Sequence, residues 1–213
     1  MKEYLCYDGK DVPIYYEDFS LFRPKQAEEF NKRFVDELKY RLDHFRKRCA
    51  ADMKVSIDAL NYSHESLLIV WQWFIKNVSL QRVTGTELKK CKQSAALGGN
   101  PICKEFTEDS KRRMFDIAAY WGECFIKLDS SLFWSYHSEP RNNLFLYQPD
   151  IRWIHEHYTM SIRGEIRVVD RDTLFPPIHM VSVQANNVFS KDVSQHDLYD
   201  VHKIWMEKLP CKN

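Results

Sequence analysis

The stretch Asp116–Ile151, DIAAYWGECFIKLDSSLFWSYHSEPRNNLFLYQPDI, changes its periodicity partway along, and that change sets the fold class. Through Leu128 the apolar residues recur every three or four positions. Met114, Ile117, Ala118, Trp121, Phe125 and Leu128 fall along one side of a helix, with Asp109 or Ser110 as its candidate cap. Beyond Leu128, SSLFWSYHS and NLFLYQPDI carry the alternation and aromatic enrichment of strands. The EPRNN between them has the proline and asparagines of a hairpin connection.

Within the helix, Gly122 calls for a reason, because glycine in a helix interior costs about 1 kcal/mol relative to alanine. Ala118, Ala119 and Gly122 make a strip of small residues, so the spacing predicts close approach by another element, with Trp121 and Phe125 flanking the contact. Glu123 would then bond a strand or loop donor such as Arg141, Arg152 or Arg163. The competing reading makes Glu123 an acid or base and Cys124 a nucleophile. Thiol chemistry needs a neighbouring base or positive field, which a mid-helix position does not supply, so the packing reading is preferred.

Upstream, Pro24 opens a long amphipathic helix in which Ala27, Phe30, Phe34, Leu38, Leu42, Phe45 and Cys49 form the apolar stripe. Ser63 can cap a second helix whose stripe is Leu67, Val70, Trp71, Phe74 and Val78, widened by Trp73 and Ile75. Residues 84–107 have a helix-capable start and then a loop at Gly98-Gly99-Asn100-Pro101, without the spacing of a phosphate-binding loop. Downstream, YTMSIRGEIRVVD reads as strand, and Leu198, Val201, Ile204, Trp205 and Leu209 as a closing helix. Helices followed by strands, without βαβ alternation, predict a single α+β domain over residues 1–213. Amphipathic helices pack on a small antiparallel sheet from about residues 131–184, with a C-terminal helix.

Thirty-one basic and thirty acidic residues leave a net charge of +1, which gives no general field for polyanions. No leader-like segment and no run of eighteen apolar residues occurs, so a cytoplasmic protein without a membrane span is expected. The six cysteines, at 6, 49, 91, 103, 124 and 211, form no C-x-x-C pair and are expected as free, mostly buried thiols. The basic clusters FRKRC, LKKCK and SKRRM lie near acidic residues and read as solvated helix faces. Lys111–Arg113 stand in a first turn, where Glu108 and Asp109 can offset them.

Two histidine groups bear on metal chemistry. WIHEHY places Trp153, His155 and His157 on one side of an extended chain, and a zinc site would need a further ligand such as His137 or His179. In HDLYDVH, His196 and Asp200 are helical neighbours and His202 is rotated away, which reads as a solvated face or helix entry. Neither H-E-x-x-H nor G-x-S-x-G occurs.

SHESLLIVWQWF, AAYWGECFIK and LFWSYHSEPRNNLFLYQPDI together resemble a pattern of uncharacterised bacterial proteins of the immunity-protein and prophage-associated kind, over about residues 60–151. The turn LDSSLFW lacks the glycine pair of that pattern. The resemblance implies a small α+β cytosolic binder that neutralises a partner toxin, with no catalytic residue or cofactor. The expectation is therefore a non-enzymatic factor that binds another protein by occlusion, with Trp134, Tyr136, Arg141 and Trp153 as contacts and Trp121, Gly122 and Glu123 as a structural motif. The alternative is a metal-dependent hydrolase using His155 and His157 with a carboxylate.

Overall fold

The structure, a computed structural model, describes residues 19–96, 103–136, 146–162 and 165–207, with backbone alone over 153–162 and 165–174. Helix α1 runs Pro24–Met53, with proline in its first turn where no intrahelical N–H is needed. It ends at Lys54, whose left-handed backbone (φ 57°) turns its N–H onto the carbonyls of Ala50 and Ala51. A 3-10 turn at Ile57–Ala59 leads to α2, Ser66–Asn77. The N-cap of α2 is Glu65, which makes no side-chain cap bond; Ser63, expected as the cap, stands in the turn before it, its Oγ accepting from the Ser66 N–H at 3.3 Å. Then come β1 (Leu80–Arg82), α3 (Gly85–Ala96), β2 (Lys104–Phe106) and α4 (Glu108–Leu128). Strands β3 (Phe133–Tyr136), β4 (Pro149–Ile162) and β5 (Glu165–Phe175) are followed by α5 (Pro177–Ser190) and α6 (Asp197–Met206).

The fold is α+β. Strands β3, β4 and β5 make one antiparallel sheet in that order, and β1 pairs with β2 in a second, smaller one. Two expectations are corrected, and one pair of strands is new. The sheet stops at Phe175 rather than near 184, because Pro177 starts a helix that buries Ile178, Val181, Ser182 and Ala185 at helical spacing. YTMSIRGEIRVVD is not one strand: β4 ends at Ile162 and β5 starts at Glu165, paired to each other. The β1–β2 pair, with α3 between its strands, was not foreseen.

Helix α4 lies at the centre, packed against α1, α2, α5 and β4. Every residue from Arg113 to Gly122 is buried, so α4 is enclosed all round rather than along the single stripe its spacing predicts. Leu128, assigned to that stripe, is 51% exposed. The cap is Thr107, not Asp109 or Ser110: its Oγ accepts from the Ser110 N–H, while Ser110 Oγ donates to the Ser79 carbonyl at 3.0 Å. At the far end the Asp129 carboxylate accepts from the Ser131 N–H (2.9 Å) and hydroxyl (2.8 Å), turning the chain into β3.

Gly122 is explained by what lies over it. The Trp134 ring occupies the volume a Cβ would take, and Ile151 Cδ1 would stand 3.3 Å from that Cβ. The neighbouring Glu123 accepts the Trp134 indole N–H at 2.8 Å, so the donor is a strand tryptophan and not one of the arginines expected. A second link, between helices, is the buried pair of Arg41 and Asp116, with Nε to Oδ1 at 2.7 Å and the guanidinium over the Phe115 ring.

Gly122→Ala is expected to lose about 2 kcal/mol in urea unfolding, since overpacking outweighs the gain in helix propensity. Introduced together with Trp134→Ala, it should cost less than the sum of the two changes; a neutral Gly122→Ala would refute the contact. Asp116→Ala, which removes the buried carboxylate beside Arg41, is expected to cost about 3 kcal/mol by the same measurement.

Candidate functional site

Two concavities are formed by residues that the sequence marks as chemically interesting. The larger, about 370 Å³, lies between α1 and β3 and is lined by Glu28, Asn31, Lys32, Phe34 and Val35 on the helix and Trp134, Ser135 and Tyr136 on the strand. Trp134 forms its floor, edge-on to Phe34 with ring centroids 4.9 Å apart. Tyr136 is half-buried and Val35 is 49% exposed.

Asn31 is the unexpected member. It is 5% exposed, and its Nδ2 donates to the carbonyls of Ala27 (2.9 Å) and Tyr147 (3.1 Å), an arrangement that fixes the amide's orientation. The Oδ1 is buried with no hydrogen-bond partner among the described residues. Tyr147, held by this bond, takes a left-handed backbone (φ 65°), and the adjacent Gln148 is fully buried with both amide atoms unbonded among the described residues. Backbone strain and unmet buried hydrogen-bonding capacity thus coincide beside one groove, a combination that clusters at binding sites. The sequence did carry a signal: Asn31 occupies an apolar-stripe position between Ala27 and Phe34.

The smaller cleft, about 250 Å³, is lined by Asn61, Tyr62, Ser63 and His64, by Cys124, Lys127 and Leu128 of α4, and by His202 and Met206 of α6. His202 is buried, not on a solvated face. Its Nδ1 accepts the Trp121 indole N–H at 2.8 Å, so the neutral ring carries its proton on Nε2. Burial, assisted by nearby His64, pushes its pKa down to about 3. His64 stacks on Tyr199 at 3.7 Å and donates from Nε2 to the Tyr199 carbonyl at 3.0 Å. Burial also raises the Cys124 thiol well above its ordinary range, with Glu123 adding to the shift. Neither an imidazole that titrates near 3 nor a protonated buried thiol is poised for acid–base or nucleophilic work near neutrality.

Of the expected contacts, Trp134 and Tyr136 come together in the larger groove. Arg141 lies outside the described residues, and Trp153 is placed only as a backbone position in β4 opposite Thr173. His155 and His157 are also in β4, with side chains outside the described residues, and a register irregularity between Ile154 and His157 interrupts strict alternation there. Among the described residues no group of side chains could hold a metal ion. The basic first turn of α4 is neutralised locally, Lys111 pairing with Glu108 at 2.8 Å and Arg113 with Asp109. Ile204, assigned to the buried stripe of the closing helix, is 54% exposed, and Leu209 lies outside the described residues. No described helix is long and apolar enough to cross a membrane.

His202 gives a pH dependence with a definite sign. Its pKa is depressed in the folded chain, so the unfolded chain binds the proton first, and stability falls as pH drops below about 6.5 toward 3. Urea titrations should show a loss of roughly 1.4 kcal/mol per pH unit in that window, diminished in His202→Gln. An unchanged slope in the variant would contradict the assignment. In comparisons with protein-family models, curated proteins and solved structures, nothing matches this chain.

Proposed function

We propose that this chain is a non-enzymatic protein-binding factor that acts by occlusion, in the manner of an immunity protein, and that the groove between α1 and β3 is its contact surface. The observation that carries this reading is the half-buried aromatic pair Trp134 and Tyr136 in a groove bordered by the exposed Val35. A docked segment covers that aromatic area, which supplies the anchor.

The sheet adds a second element of support. Among the described residues β3 pairs only with β4, so it is an edge strand bordering the groove. An extended segment of a partner can add to such an edge, with main-chain bonds for affinity and alternate side chains entering the groove. Glu28 and Lys32 stand along its helical wall, which suits a partner segment with both charges. The resemblance of residues 60–151 to immunity-type proteins agrees with a toxin as partner.

The test is capture from lysate of the source cell by the wild-type chain and by Val35→Glu/Tyr136→Ala, with native mass spectrometry of what is retained. The expected result is one stoichiometric protein partner on the wild type and none on the variant, with both showing the same circular dichroism. A partner held equally by both chains, or none held by either, would count against the proposal.

A further inference from the structure

The cleft between the turn before α2, the C-terminal end of α4 and α6 has a chemistry separate from that of the α1–β3 groove. Its walls are more apolar than polar, with Leu128 and Met206 among them. Lys127 brings the one fixed charge, and among the described residues no carboxylate lines the cleft. Glu65, next to His64 in sequence, is exposed and outside the lining. The Lys127 Nζ stands 5.1 Å from the centre of the Tyr62 ring, and it enters no ion pair among the described residues.

His202 brings a second donor. An indole N–H can only donate, so the bond from Trp121 to His202 Nδ1 settles both the orientation of the imidazole and its tautomer, with the proton on Nε2. Burial holds the ring neutral near neutral pH. No described residue accepts from the Nε2–H. That nitrogen is also not among the sealed, unbonded atoms of the described interior, so it opens on to the cleft that His202 lines. The residue as a whole is 2% exposed, which puts this donor at the bottom of the cleft rather than on its rim.

The opposite wall is built rather than loose. Tyr62 takes a left-handed backbone (φ 67°), a conformation unfavourable for an aromatic residue. Its N–H donates to the buried Tyr120 hydroxyl at 3.0 Å, which donates to Ser66 Oγ at 2.7 Å, which in turn donates to the Ser63 carbonyl at 2.6 Å. The Tyr62 ring stacks on Tyr120 with centroids 4.7 Å apart, so the aromatic surface beneath Lys127 is fixed as well.

We propose that this cleft binds a small monocarboxylate with an apolar body, its carboxylate held by the Lys127 ammonium and the His202 Nε2–H and its body against Leu128 and Met206. A carboxylate accepts from both donors and neutralises the lysine. A cation would meet that lysine with no acidic partner in the lining, and a wholly apolar molecule would leave the His202 donor unmet. The volume of about 250 Å³ suits a single ring or a branched chain rather than a nucleotide. This site does not depend on what occupies the α1–β3 groove.

The experiment titrates the full chain with phenylacetate, isovalerate and acetate at neutral pH and constant ionic strength, by calorimetry and by the His202 ring-nitrogen resonances. The expected result is one saturable site, with phenylacetate at least about tenfold tighter than acetate and the Nε2 resonance moving on binding. Phenylacetamide, of the same shape without the charge, should bind about tenfold more weakly than phenylacetate. Lys127→Met, a change at an exposed position expected to leave the circular dichroism unaltered, should weaken phenylacetate about tenfold and leave phenylacetamide unaffected. No saturable binding by any of the three acids would overturn the proposal. So would equal affinity for acid and amide, full affinity in Lys127→Met, or an unmoved Nε2 resonance.

Discussion

The Trp134 ring lies in the volume that a side chain at position 122 would fill, and the seating of the sheet follows from that overlap. With no Cβ at 122, β3 approaches α4 at the distance of one aromatic ring, and the Glu123 carboxylate sets the ring's orientation through its indole N–H. Phe34 then meets the same ring from α1, so helix, sheet and second helix share one contact. The groove between α1 and β3 is the outer margin of this junction. A larger residue at 122 would lift the strand and with it the groove's floor.

The same device recurs. Trp71 donates to the Ser194 carbonyl, Trp73 to Asp52 and Trp121 to His202, so four indole N–H groups, Trp134 included, each reach a different segment. A tryptophan brings a large apolar surface together with one donor that must be met. Leaving that donor unmet in the interior costs about 1–3 kcal/mol, which makes each ring a constraint on register as well as a source of burial. The Arg41–Asp116 pair adds to this between α1 and α4: ion pairing at the interior is worth little over an apolar substitute, but it tolerates few alternative placements.

Periodicity made the helices legible, because the stripes of α1 and α2 are local patterns and the observed buried faces include most of their residues. Gly122 was legible for the same reason, as a local cost that demands a nonlocal return. What covers it was not, since the sequence pointed to arginines as donors to Glu123 and no local signal marks the Trp134 indole as the donor. His202 was misread because nothing near it in sequence announces that Trp121 will supply its partner. Asn31 and Arg41 interrupt an apolar stripe visibly, yet only the partners, Tyr147 and Asp116, say why. Helix α5 was partly hidden because Ile178 and Val181 also suit a strand, and Pro177 decides only once it is recognised as a first helical residue.

The tethers of α2 and of the turn before it have an implication for how the chain is made. Trp71 bonds the carbonyl of Ser194, and His64 bonds and stacks on Tyr199, residues more than a hundred positions later. During synthesis from the N-terminus, α1 and α2 emerge long before the segment that satisfies these groups. Until residues 194–202 arrive, the Trp71 donor and the His64 face are open to water and to other chains. A segment translated well after α1 and α2 therefore completes those elements, and the nascent chain carries an exposed aromatic surface until residues 194–202 emerge.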